Sequence, residues 1–239
     1  MVALPGTAVR ASAREHGVST TALLLALVGE GLHRINPAAT AKHDRLRTMV
    51  PRTTHALRRA SAGGGLMAGS AGGGRYEGNQ TAAIALDLPV GPMPLSWRMV
   101  AVAAALNRQE RAGQPVAAQA VVRALGRLPA PLHARVVRAI YGHRYFSLIT
   151  SVLPAVRKPR YLCGMRITSA FPVLPLADGV GLAVGFLTCA DMIGVGVTTD
   201  IGLAPGAGRF ADALREAFDD LAAESRMPAE HPGRRGGEV

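Results

Sequence analysis

The sequence predicts an α/β fold in which a mixed sheet is covered by helices. Three observations point there. Helical and extended segments are interspersed, with most extended runs late in the chain; TTALLLALVGEGLHRI reads as one long apolar helix; and GRFADALREAFDDLAAES, near the end, has the 3.6-residue period of a helix lying on a sheet.

Residues 5–16 and 19–35 are predicted helices separated by Gly17. Ser19 or Thr20 can cap the second, because a hydroxyl oxygen there accepts from an N–H group that the first turn leaves unpaired. That helix is apolar nearly all round, with its later polarity confined to Glu30, His33 and Arg34, and it is too short to span a bilayer. It is therefore expected in the core. Arg45 to Val50 is extended, and Pro51, lacking a backbone donor, is expected to end it. Residues 53–75 become Gly-rich (ASAGGGLMAGSAGGGR), too poor in buriable surface to offset their ordering entropy, and predict a flexible loop.

Thr81 to Val90 predicts a strand ending at Pro89; residues 95–111, 116–126 and 130–142 have helical periodicity; and extended runs follow at 146–152, 161–171, 180–188 and 192–199. Val180 to Thr199 has the length of a membrane span, with Asp191 its only charge. A carboxylate in mid-span costs about 2.5–3.5 kcal/mol on insertion scales. The Gly, Val and Thr content favours strands, so GLAVGFLT and MIGVGVTT are read as a hairpin turning at Cys189-Ala190-Asp191. In the last helix Phe210, Leu214, Ala217, Phe218 and Leu221 form the apolar stripe, opposite Asp212, Arg215, Glu216, Asp219 and Asp220. One lobe over residues 1–226 and a disordered tail over 227–239 complete the plan.

With 239 residues, 49% apolar and only 4% aromatic, the chain should fold as one domain or a two-lobed unit packed by small aliphatic side chains. A net charge of +11 suits an anionic partner. The only lysines are Lys42 and Lys158, however, and arginine dispersed through an Ala- and Gly-rich chain also follows from compositional bias. No aromatic platform or recognition helix accompanies the charge, so nucleic acid is not an expected partner. Cys163 and Cys189 fall in apolar strand-like segments and are expected reduced and buried; no Cys/His spacing suits a metal. The first residues lack the basic start and apolar run of a signal peptide, which predicts a cytoplasmic location.

The Gly-rich tract lacks the Lys-Ser/Thr of a phosphate loop, and Ser70, flanked by small flexible residues, lacks the strained strand-to-helix turn of a nucleophile elbow. His43 and Asp44 are adjacent, and neighbours on an extended segment point apart. Asp191 and Asp200 flank the second strand of the late hairpin, as turn formers do. Gly78-Asn79 opens a strand, and Arg45, Arg47, Arg52 and Arg157, Lys158, Arg160 stand near strand ends, where a phosphorylated ligand could meet them.

The order of these pieces resembles the C-terminal half of the bacterial wax ester synthase/acyl-CoA:diacylglycerol acyltransferase family, over nearly the whole chain. AVRASAREHGVSTTALLLALVGEGL is similar to the family's helix pair, with Ser19 and Thr20 where Asn-Asp is usual; RLRTMVPRT and YEGNQTAAIALDLPV resemble its "lramvPvs" strand and its "GN" pair with the strand after it. SLITSVLPAVRKPRYLCGMRI resembles the family's "SNvpGP" turn and the "l-laGa-v" segment beyond it, with Val152 replacing Asn and Ala155 replacing Gly, and Ser151 and Pro154 retained to end the strand. The fold this implies is the second lobe of the two-lobed CoA-dependent acyltransferase architecture, with a channel between lobes.

The resemblance implies transfer of a fatty acyl group from acyl-CoA, the co-substrate, to diacylglycerol or a long-chain alcohol, with no bound cofactor. The family's general base is the second His of HHxxxDG in the first lobe. No histidine of this sequence is followed four residues later by Asp, so no catalytic residue is assigned here. Asn79, Ser151, Arg52 and Asp191 are the substrate-channel candidates. A first-lobe acyltransferase half is the expected partner, the chain alone is expected to be inactive, and an uncovered lobe face predicts poor solubility or dimerisation. Peripheral contact with a membrane or lipid droplet is a separate expectation that follows from the charge. The other reading is a degenerate, non-catalytic binding or interaction module, motivated by the departures at Ser19, Thr20, Val152 and Ala155.

Overall fold

The computed structural model describes residues 1–53, 81–113, 129, 131–132, 135–136, 145–156, 158–202 and 206–225. The expected Gly-rich loop (apart from Thr53), the helix at 116–126, most of that at 130–142 and the tail lie outside them.

A mixed sheet forms the centre. Its strands are β1 (Val2–Pro5), β2 (Arg45–Thr53), β3 (Thr81–Pro89), β4 (Leu148–Val156), β7 (Leu182–Cys189) and β8 (Met192–Thr199), in the order β1-β8-β7-β4-β2-β3. β2, β4 and β7 run parallel; β3, β8 and β1 pair antiparallel with their neighbours. A separate two-stranded ribbon joins β5 (Tyr161–Leu162) to β6 (Met165–Arg166). The helices are α1 (Gly6–Glu15), α2 (Thr20–Ile35), α3 (Pro37–Lys42), α4 (Leu95–Arg111) and α5 (Ala207–Glu224). None of the described helices is long and apolar enough to cross a membrane.

Strand β3 shows how the layers sort. Ile84, Leu86 and Leu88 are buried while Ala85 and Asp87 are exposed, the period-two alternation of a strand covered on one side. On the covered side α2 lies in the middle, with Leu23 to Val28 all buried as the apolar run requires, and α4 and α5 bring Met99, Val102, Phe210, Leu214 and Phe218 to the same core. Each such side chain contributes roughly 1.5–3 kcal/mol of transfer free energy. Ser19 caps α2, its hydroxyl oxygen accepting from the Ala22 N–H at 3.1 Å.

The opposite face is covered differently. The segment from Ala170 to Leu176 crosses β7 and β8 where Gly185 pairs with Gly196. A Cβ on Gly194 or Gly196 would run into the backbone carbonyls of Ala170 or Pro172, so these strand glycines admit a close backbone approach. Beside this strap, Phe146, Ile149, Val180 and Ala183 form a second small cluster.

Several expectations are corrected. Pro51 does not end β2, which pairs with β3 through Thr53; the described β4 pairing involves only Thr48 and Met49, so no rung to β4 is lost at Pro51. Pro154 does not end β4 either: the register with β7 slips between Leu153 and Val156, and the proline sits in that irregularity, which tolerates a missing donor. The run 161–171 is broken at Cys163 (φ 50°) and Gly164 (φ 78°), the two left-handed residues of a tight hairpin turn. Cys163 is consequently exposed, and only Cys189 is buried. β1 and α3 were not anticipated.

Candidate functional site

The sheet, α1 and α2 meet in a half-open cleft of 590 Å³ at the end of β4. Ala155 and Val156 of β4, Thr188, Ala190 and Ile193 of the β7–β8 hairpin, Arg10 of α1 and Thr20 of α2 line it. It forms because β4 departs from its regular register with β7 at Pro154-Ala155, leaving Ala155 exposed before Val156 rejoins Cys189. The hairpin turns through Ala190 (φ 51°) and Asp191. Two contacts tie that turn to α1: the Gly6 N–H donates to the Asp191 carbonyl at 2.7 Å, and the Arg10 guanidinium donates to the Asp191 carboxylate at 3.0 Å. A smaller recess of 40 Å³ shares Val156 and Ala190 with the cleft and is completed by Lys158, Pro159, Arg160, Arg166, Ile167 and Cys189.

The lining combines aliphatic groups with two threonine hydroxyls and one guanidinium, Arg10, whose charge is met by Asp191. Elsewhere on the sheet, the Arg47 guanidinium hydrogen-bonds the Asp87 carboxylate and holds it below the usual carboxylate range, while Asp87 raises Arg47.

Of the channel candidates, Asp191 does not itself line the cleft but follows Ala190 and pairs with Arg10, which both do. Ser151 is buried in β4 opposite Gly185, about 17 Å from the hairpin turn at 3.3 Å per residue. Arg52 lies on β2, the strand beyond β4, and Asn79 lies outside the described residues. The structure therefore does not gather the described candidates, Ser151, Arg52 and Asp191, into one site. It does place Thr20 and Ala155, both singled out as departures from the family pattern, in one cleft. Arg10 and Thr188 were missed, since an arginine on a short helix and a threonine near a strand end have no distinguishing local signal.

Three histidines are described. His16 Nδ1 meets the Ser12 carbonyl at 2.9 Å and His33 Nδ1 meets Thr40 Oγ1 at 2.8 Å, while His43 is exposed. None of the three is hydrogen-bonded to a carboxylate or lines the cleft.

A family model described as the WS/DGAT C-terminal domain matches residues 77–222. The Mycobacterium tuberculosis protein named as a probable diacylglycerol O-acyltransferase, tgs1, is 24% identical over 217 residues, covering 89% of this chain and 44% of its own length; a Mycobacterium bovis counterpart matches equally. The chain thus spans less than half of these relatives. The wax ester synthase/diacylglycerol acyltransferase of Marinobacter aquaeolei VT8 superposes with a TM-score of 0.63 at 14% identity, over 95% of this chain and 48% of that one. A condensation-domain structure from the enacyloxin polyketide synthase gives 0.53 at 14% identity, over 99% and 42%. These likenesses establish the fold as that of one lobe of the two-lobed architecture.

Proposed function

The chain belongs to the WS/DGAT C-terminal domain family, and from that premise we propose that it forms one wall of an acyl-transfer channel and depends on an HHxxxDG-bearing first lobe for its chemistry. The donor is a fatty acyl-CoA and the acceptor a diacylglycerol or long-chain alcohol. The observation that carries the reading is the cleft at the end of β4, the strand whose SVLPAV stands where the family has its turn.

In the reaction, the first lobe's imidazole takes the proton of the acceptor hydroxyl, whose oxygen attacks the thioester carbonyl; the carbon–sulfur bond breaks and the CoA thiolate recovers the proton. The residues described here orient and exclude. Ala155, Val156 and Ile193 offer apolar contact to the chain, Thr20 and Thr188 offer hydroxyls, and Arg10 keeps the hairpin wall in place through Asp191.

CoA release from palmitoyl-CoA with diacylglycerol or hexadecanol tests this. The chain alone should give none, and a co-purifying HHxxxDG lobe should restore turnover. Turnover by the isolated chain would refute the dependence. A lobe that associates without restoring activity would favour the non-catalytic module, for which Val152 and Ala155 are the motivating departures.

A further inference from the structure

Arginine is spread through the chain, but the net positive charge is not. Residues 111–177 hold ten of the 27 lysines and arginines and none of the 16 aspartates and glutamates, so this stretch alone accounts for +10 of the net +11. Within it the β5–β6 ribbon protrudes as a sheet of its own, paired with no other strand. Its apolar residues face solvent: Tyr161 is 64%, Leu162 67% and Met165 72% exposed. Leu162 sits directly opposite Met165 and Tyr161 opposite Arg166, so the ribbon has an apolar pair next to an aromatic–cation pair.

The cations here differ from the ion-paired arginines of the fold, though not from Arg14, Lys42 or Arg209, which likewise have no carboxylate partner among the described residues. Arg10, Arg34, Arg47 and Arg98 each pair with a carboxylate, whereas Lys158, Arg160 and Arg166 have no carboxylate partner among the described residues. Exposed aliphatic and tyrosine side chains flanked by free cations match a surface that is apolar within and anionic at its rim. A soluble phosphate would engage the cations and leave Leu162 and Met165 in water.

We propose that the β5–β6 hairpin is an interfacial anchor that inserts Tyr161, Leu162 and Met165 into an anionic lipid surface while Lys158, Arg160 and Arg166 hold the headgroups. The base of the ribbon lines the recess that shares Val156 and Ala190 with the cleft. Docking through the tip therefore brings the cleft to the lipid. This deepens the reading of a lipid acceptor and rests on it only for its purpose, because binding to vesicles is measured without turnover.

The test is flotation of the full chain with phosphatidylcholine vesicles, with and without phosphatidylglycerol. Cys163, exposed at the ribbon tip while Cys189 is buried, takes an environment-sensitive fluorophore as a second readout. Binding should require phosphatidylglycerol, weaken with salt and raise the fluorescence. Each cation contributes about fivefold, so Lys158→Gln/Arg160→Gln/Arg166→Gln should lose about a hundredfold. Leu162→Ser/Met165→Ser should lose about tenfold or more with the charge unchanged. Arg108→Gln/Arg111→Gln, on the exposed end of α4, should bind as the parent does. Equal loss in that control would overturn the proposal in favour of diffuse charge. Displacement by inorganic pyrophosphate at low concentration would overturn it in favour of a phosphate pocket. Unchanged vesicle binding by the ribbon variants, whether or not they lose association with a first lobe, would overturn it outright.

Discussion

Arg98 and Glu30 form an ion pair inside the lobe. The Arg98 side chain is 0% exposed, its Nη2 donates to Glu30 Oε2 at 3.1 Å, and the guanidinium also serves the carbonyls of Pro89 at 2.6 Å and Gly91 at 2.9 Å. Glu30 in turn accepts from Arg34, which reaches Asp220 on α5 at 2.9 Å. One chain of charges thus links α4, the end of β3, α2 and α5. Burial pushes the Arg98 guanidinium below the usual arginine value, with Glu30 opposing, yet arginine stays charged at any physiological pH.

Removing Arg98 leaves the Pro89 and Gly91 carbonyls and Glu30 Oε2 without their donor, while Glu30 keeps Arg34 on Oε1. Arg98→Met should destabilise by roughly 3–5 kcal/mol, chiefly because buried acceptors lose their donor, and Glu30→Leu added to it should recover little, since Glu30 still pairs with Arg34 in the single variant. Urea unfolding checks this through a shift in midpoint at unchanged slope.

This pair also marks the limit of what the sequence discloses. The Phe210, Leu214, Ala217, Phe218 and Leu221 stripe was readable because helical periodicity is local, and the β7–β8 hairpin because its strands are contiguous. Arg98 in LSWRMVAVAAALNRQER reads as a surface cation; only the non-local meeting of α2, α4 and the end of β3 buries it. β1 is set by pairing Val2 with Val195, nearly the whole chain away. The cleft was partly legible through Thr20 and Ala155, and Arg10 joined it only by folding.

The two glycines in MIGVGVTT should respond in the opposite sense to one in α5. Gly196→Ala places a methyl against the Pro172 carbonyl and must lift the strap off β8, an overpacking cost of roughly 1–3 kcal/mol. Gly208, within α5, has nothing within 4 Å of the added atom, so Gly208→Ala should stabilise by up to about 1 kcal/mol through helix propensity. Thermal unfolding of both variants reads the contrast.

Loss of the α2 cap isolates one hydrogen bond. Ser19→Ala removes the acceptor for the Ala22 N–H and should cost about 1 kcal/mol, whereas Ser19→Asp, which keeps an acceptor and adds negative charge at the helix start, should match or exceed the parent. Chemical denaturation of the three proteins checks the order.

Asp87 predicts an acid limb. Hydrogen bonding to Arg47 lowers its folded pKa below the unfolded value, so its stabilising contribution is present above the ordinary aspartate pKa and fades as pH falls through the lowered one. Both side chains are about half exposed, which limits the effect to under about 1 kcal/mol. Asp87→Asn should flatten that part of the stability–pH curve, and added salt should shrink the difference between the two proteins.

The cleft makes a prediction about chain length that the anchor does not. Ala155 is exposed on its wall and lies in an irregular part of β4, so Ala155→Phe should fold while occupying part of the 590 Å³. In a complex made active by a first lobe, kcat/KM for palmitoyl-CoA should fall at least tenfold while a short acyl-CoA is spared, because only the longer chain needs the lost volume. Vesicle flotation of the same variant should not change, because the ribbon tip is untouched. An equal loss for both donors would place Ala155 outside the path of the acyl chain, and a loss of flotation would mean that the substitution has disturbed the ribbon itself.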